Sequence, residues 1–162
     1  MIKVGEKIPD GILHVLQDGA PKAVTMHDLC KDKKVVIFGL PGAYTTICSS
    51  KQVPQYYEKL SALQDVGVEA VFCVSVNDAF VMHHWAKDLN VEEERLCMLA
   101  DGEAAWNSKL GLTQHLDGLG TRALRYSMVV DNLVVTHLNA EEPGPTCYRI
   151  SGPDTILKQL MD

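Results

Sequence analysis

The chain has 162 residues, 46% of them hydrophobic, enough for one globular domain with a sizeable core. A formal net charge of -6 and a pI near 5.4 speak against a nucleic-acid-binding or anionic-membrane surface. No apolar run approaches the roughly 18 residues that a membrane span needs.

Taken in order, Ile12 to Leu16 and Ala23 to Thr25 flank the turn signal Asp18-Gly19, which predicts an N-terminal β-hairpin. Thr25 can cap a brief helix to Cys30. Val35 to Phe38 is short, apolar and β-branched, a buried strand that Pro41-Gly42 breaks. Val53, Tyr56, Leu60 and Leu63 then fall at helical spacing, and Pro54 among them predicts a kink or a restart. Ala70 to Val76 has the near-continuous apolar character of a strand in a parallel sheet. Asn77-Asp78 caps a helix carrying Val81, Trp85 and Leu89. Leu96 to Leu99 is a third strand of this kind. Asp101-Gly102 opens a helix through Leu110, stopped by Gly111.

Residues 112–124 read as an irregular loop. Tyr126 to Val130 and Leu133 to Leu138 read as strands joined by a two-residue turn, Asp131-Asn132. The breaker-rich stretch Glu141-Glu142-Pro143-Gly144-Pro145 follows, and Pro153 begins a last helix to Met161. Alternating βα units closed by a hairpin and a helix predict an α/β architecture, one domain over 1–162. The element order is that of a thioredoxin-like fold, a central mixed sheet flanked by helices, with an N-terminal hairpin added.

The five cysteines, Cys30, Cys48, Cys73, Cys97 and Cys147, are scattered and form no Cys-x-x-Cys pair. A zinc ribbon or a thioredoxin-type dithiol is thereby excluded, and scattered thiols suggest a reducing compartment. The six histidines stand in no metal-ligand spacing. Met1 to Glu6 has no signal- or transit-type character, so a cytoplasmic location is expected, with an organelle as the alternative if a targeting segment has been removed.

Chemistry points to Gly39-Leu40-Pro41-Gly42-Ala43-Tyr44-Thr45-Thr46-Ile47-Cys48-Ser49-Ser50. The threonines can cap a helix start, which puts Cys48 in or just before the first turn. Unpaired N–H groups and the helix dipole favour an anion there, so the thiol should have a lowered pKa, and the thiolate is its reactive form. A small buried hydrophobe is the plainer alternative for any lone cysteine.

Pro-x-x-x-Thr-x-x-Cys, here Pro41 to Cys48, resembles the active-site motif of the peroxiredoxins, and the likeness to the atypical two-cysteine (type five) and plant type-two branches runs along nearly the whole chain. The resemblance implies a thiol peroxidase acting on hydrogen peroxide or small organic hydroperoxides without metal, haem or flavin. Cys48 would attack the peroxide. Thr45 would hydrogen-bond thiolate and peroxide, and Pro41 would shield the site. On residues alone Arg125 reads as an ordinary exposed arginine. The segment Arg125-Tyr126-Ser127-Met128 is similar to the one whose arginine completes the family site, and it matches better than Arg122 does. Cys147, in a loop expected to be exposed and mobile, resembles the resolving cysteine of the type-five branch, and a Cys48–Cys147 disulfide would follow. Cys73 is the competing resolver. Thioredoxin, or glutaredoxin with glutathione, would be the reductant, and the protein would be a monomer or a homodimer packed through the active-site loops. Tyr44, Thr46 and Gln52 depart from the usual phenylalanine, proline and histidine. A redox sensor read by a partner protein is the alternative function.

Overall fold

The computed structural model describes residues 1–162. Its strands are β1 (Ile12–Gln17), β2 (Ala20–Thr25), β3 (Lys34–Leu40), β4 (Ala70–Ser75), β5 (Cys97–Ala100), β6 (Thr113–Leu116), β7 (Gly120–Ala123), β8 (Tyr126–Asp131) and β9 (Val134–Ala140). Its helices are α1 (Met26–Cys30), α2 (Val53–Glu58), α3 (Leu60–Asp65), α4 (Ala79–Asp88), α5 (Ala105–Leu110) and α6 (Pro153–Met161), with a π-helical turn at Cys48–Gln52. Seven strands form one mixed sheet in the order β2-β1-β5-β4-β3-β8-β9. β3 and β4 are parallel, as are β4 and β5, whereas β8 and β9 are antiparallel to their neighbours. This is the thioredoxin-like α/β architecture the element order predicts, N-terminal hairpin included.

The central strands are apolar along their length because both faces of the sheet are covered. Val36, Phe38 and Leu40 of β3 point to a core shared with Val53, Tyr56, Leu63, Met82, Trp85 and Ile156. Val35 and Ile37 point to the other core, with Met26, Trp106, Leu110 and Leu112. Phe38 stacks on Tyr56 with ring centroids 3.9 Å apart and planes within 5°. Gly39 has no side chain for a packing reason: a Cβ there would enter the Tyr126 ring on β8.

Three details differ from the sequence reading. Residues 112–124 hold a second small hairpin, β6–β7, rather than an irregular loop. The turn between β8 and β9 is Asn132-Leu133, with φ of 43° and 73°, one residue later than expected. α5 starts only at Ala105, because the Asp101 carboxylate accepts from the N–H groups of Trp106 (3.1 Å) and Asn107 (2.9 Å) and fixes a turn ahead of the helix. Pro54 has the predicted consequence. It can offer no N–H to the carbonyl four residues back, and the chain widens into the π turn just before it, closed by Val53 N–H to the Cys48 carbonyl.

Topology then gathers the candidate residues. Gly39 pairs with Tyr126, so the C-terminal end of β3 lies beside the start of the antiparallel β8. Tyr126 pairs in turn with Ala140, so the end of β9 arrives at the same place. Residues just after β3, just before β8 and just after β9 share one end of the sheet, the usual position for ligands in α/β proteins.

Candidate active site

Cys48 occupies the first turn after the β3 loop. Ser49 N–H closes that turn on the Thr45 carbonyl at 3.0 Å, so the amides of Thr46, Ile47 and Cys48 stand ahead of the first intrahelical bond. The sulfur is fully buried. Arg125, itself 2% exposed, donates from Nη1 to Cys48 Sγ at 3.2 Å and to Gln52 Oε1 at 2.5 Å. Gln52 is one turn beyond Cys48 and equally buried, and its Nε2 donates to the Gly39 carbonyl at 3.1 Å. The amide thus aims the guanidinium and ties it to the strand beneath. Gln52 stood out in the sequence only as a departure from the usual histidine. Its contact with an arginine 73 positions away had no local signal.

The other end of Arg125 holds the loop of the second cysteine. Nη2 donates to the Pro145 carbonyl at 2.7 Å and Nε to the Cys147 carbonyl at 3.1 Å. Its guanidinium carbon also lies 5.9 Å from the centroid of the Tyr148 ring. The loop is exposed at Glu142, Pro143, Pro145 and Thr146, as the breaker-rich sequence predicts, but Cys147 within it is half-buried and its main chain is pinned. Glu141 pins it further: Oε2 accepts from the N–H groups of Arg149 (2.7 Å), Ile150 (2.9 Å) and Ser151 (2.9 Å) and from the Ser151 hydroxyl (2.7 Å). Burial opposes the charged form of Glu141, but the Ser151 hydroxyl and the three amides together outweigh it and hold the carboxyl below the usual range.

Pro41 is buried, and its carbonyl accepts from Arg122 Nη1 at 3.1 Å. Arg122 therefore braces the active-site loop, while Arg125 takes the place beside the sulfur, as the segment match indicates. Thr45 does not bond the sulfur. Its hydroxyl donates to the Gly42 carbonyl at 2.7 Å, closing the turn that its own N–H also closes, and its oxygen is left as an acceptor. Tyr44 has φ of 65°, a costly conformation for a non-glycine residue, and its hydroxyl donates to Asp88 at 2.6 Å. A cleft of about 390 Å³ opens over the turn between Pro41, Thr45 and Ile47 on one side and Leu116, Leu119 and Pro145 on the other.

For Cys30, Cys73 and Cys97 no guanidinium donor offsets burial, as Arg125 does at Cys48. Burial pushes the Cys30 and Cys97 thiols up to about 12, and the fully buried Cys73 well above its ordinary value. Cys73 sits mid-strand in β4, between Phe38 of β3 and Met98 of β5, so its backbone has no freedom to deliver the sulfur elsewhere. All five cysteines are free thiols, and no cluster of histidine, cysteine or carboxylate groups is arranged to hold a metal.

A buried cysteine at a helix start, held by a buried arginine at the end of a thioredoxin-like sheet, defines a thiol-based redox enzyme. The redoxin family model matches residues 3–157. Peroxiredoxin-2C of rice is 43% identical over 163 residues, covering 98% of each chain. The chloroplastic Peroxiredoxin-2E of Arabidopsis thaliana is 41% identical over 165 residues, 98% of this chain and 69% of that one. Reduced Prx3 of Vibrio vulnificus in complex with H2O2 superposes with a TM-score of 0.92 at 38% identity, covering 99% and 97% of the two chains. The chain belongs to the peroxiredoxins, and it is a thiol peroxidase.

Proposed function

We propose that Cys48 is the peroxidatic nucleophile and Cys147 the resolving thiol of a thioredoxin-dependent peroxidase. The observation that carries this reading is the Arg125 guanidinium, which holds the Cys48 sulfur with one nitrogen and the Cys147 loop with the other two. The Cys48 thiolate attacks the terminal oxygen of ROOH, the O–O bond breaks, Cys48 keeps that OH as a sulfenic acid, and RO⁻ takes a proton from solvent and leaves as ROH. Arg125 favours the thiolate and the charge developing on the oxygens, with the first-turn amides as further donors. Thr45, its own proton committed to Gly42, accepts a hydrogen bond from the peroxide O–H and orients it. The apolar leucines of the cleft suit small organic hydroperoxides as well as hydrogen peroxide. Cys147 then displaces hydroxide from the sulfenic acid, and thioredoxin reduces the disulfide by thiol exchange.

Cys147→Ser tests the resolving role. One turnover with peroxide should stay as fast as in the parent, while steady-state turnover with thioredoxin should fall at least tenfold and the sulfenic acid should accumulate. Full turnover by this variant, or peptide mapping that joins Cys48 to Cys73 in the parent, refutes the assignment. A protein acting only as a sensor would stall after one turnover even with Cys147 present.

A homodimer through the active-site face is proposed as well. Tyr44, Phe80 and Leu119 are 54%, 48% and 40% exposed, and Tyr44 and Leu119 lie in segments that border the cleft. Tyr44→Lys should shift the sedimentation coefficient from dimer to monomer, and a parent that sediments as a monomer sinks this part. Five unpaired thiols fit the cytoplasm, the location proposed.

A further inference from the structure

Glu141 touches neither Cys48 nor the cleft, yet it is 5% exposed and charged. It follows directly on β9, and its own N–H donates to the Arg125 carbonyl at 2.9 Å, so its backbone belongs to the rigid end of the sheet. One carboxylate oxygen takes the four donors at Arg149, Ile150 and Ser151. The other lies 3.8 Å from the Cys147 sulfur, placed to accept its S–H. Both ends of the segment 147–151 are therefore held by one side chain. The carboxylate has no lysine, arginine or histidine partner. Its charge is balanced by the donors of the segment that has to move.

We propose that Glu141 is a positioning residue for the resolving step: its carboxylate clasps residues 147–151 in the reduced enzyme, and release of that clasp sets how fast Cys147 reaches oxidised Cys48. The proposal rests on the reading of Cys147 as the resolver. In that step Cys147 gives up its thiol proton and its sulfur attacks the Cys48 sulfur. The S–S bond forms as the S–O bond breaks, and the departing hydroxide takes a proton to leave as water. Cys147 is oxidised and Cys48 reduced by the same electron pair. A disulfide needs the two side chains turned toward each other, and the Cys147 sulfur is a free thiol lying against Glu141 Oε1 at 3.8 Å, so it must leave that carboxylate to reach the buried Cys48 sulfur.

Two charged groups restrain that movement, and oxidation affects only one of them. Arg125 loses its anionic sulfur partner when Cys48 becomes a neutral sulfenic acid, which loosens its hold on the Pro145 and Cys147 carbonyls. Glu141 is indifferent to the oxidation state of Cys48. Its bonds are charge-assisted and desolvated, so they are the restraint that persists after the peroxide step.

The test uses the full chain carrying Cys48→Ser, in which Cys97 and Cys147 are the two thiols not fully buried, and peptide mapping tells them apart. Alkylation of Cys147 by iodoacetamide is followed by peptide mass spectrometry up to high pH, where limiting rates report opening of the segment rather than ionisation of the thiol. The limiting rate should rise about tenfold in Glu141→Gln, the equivalent of one charge-assisted hydrogen bond, and by less in Ser151→Ala, which removes a single donor. With Cys48 restored, disulfide formation after a peroxide pulse should quicken in the same order, while the peroxide step itself should not quicken. A destabilised protein would lose both steps together. Unchanged limiting rates overturn the clasp, and Ser151→Ala alone decides the matter if Glu141→Gln does not fold. Faster alkylation combined with a peroxide-induced disulfide that lacks Cys147 overturns the resolving role instead, and with it the clasp as a device of catalysis.

Discussion

Replacing Cys48 by serine should abolish peroxide consumption, with a loss on the order of the 10⁶-fold seen when other enzymes lose their nucleophile. The variant should fold normally. Serine is smaller than cysteine by little, and its oxygen can still accept the Arg125 Nη1 hydrogen that Sγ now accepts at 3.2 Å. What disappears is the soft sulfur of the proposed nucleophile, and a serine hydroxyl is not ionised at neutral pH. None of the other thiols can take over. Cys30 and Cys97 are held as neutral thiols at about 12, and Cys73, as buried as Cys48 but without a guanidinium donor, is held well above its ordinary value. Cys147 is accessible but has only carbonyl contact with the guanidinium, through its own backbone. Stopped-flow mixing with hydrogen peroxide measures the effect. Consumption at the parent rate would end the assignment of Cys48.

The parts of this site that could be read in advance are those coded by neighbouring residues. An apolar run, then Pro41-Gly42, then Thr45 and Cys48, is a strand, a break and a helix start within one short stretch, and each step has a local physical cause. The proline inside α2 announced its own distortion. What stayed hidden depends on pairing across the sheet. Arg125 reaches Cys48 because β8 runs antiparallel to β3 with Gly39 opposite Tyr126, a register that no residue near Arg125 dictates. Likeness to the family singled it out where the residues alone did not.

Glu141 carried still less signal. It sits in a run of breakers that reads as solvent-exposed, and its donors are main-chain amides, which have no sequence identity. The β6–β7 hairpin was missed for a third reason. Its strands have four residues each and lie outside the main sheet, so they show no apolar alternation to detect. That hairpin nevertheless brings Leu116 and Leu119 to the cleft.

Arg125→Lys separates charge from geometry at this site. If positive charge alone supports the reaction, lysine should suffice. The structure argues otherwise, because Arg125 bonds in three directions from three nitrogens: to Cys48 and Gln52, to Pro145 and to Cys147. An ammonium is a single point with three donors on a flexible stem and cannot span from the sulfur to two carbonyls on the far side. It is also harder to desolvate, at a position only 2% exposed. The second-order rate with peroxide should fall about 10²-fold in Arg125→Lys and about 10³-fold in Arg125→Ala, the range for loss of a preorganised donor to developing charge. Arg125→Ala should also unfold more easily, by about 1–3 kcal/mol for each of the two carbonyls left without a donor in a part-buried site. Comparing the peroxide rate with the melting temperature keeps the two effects apart. A lysine variant within a few-fold of the parent would mean that charge suffices, and that the fork joining the two cysteines is architecture rather than catalysis.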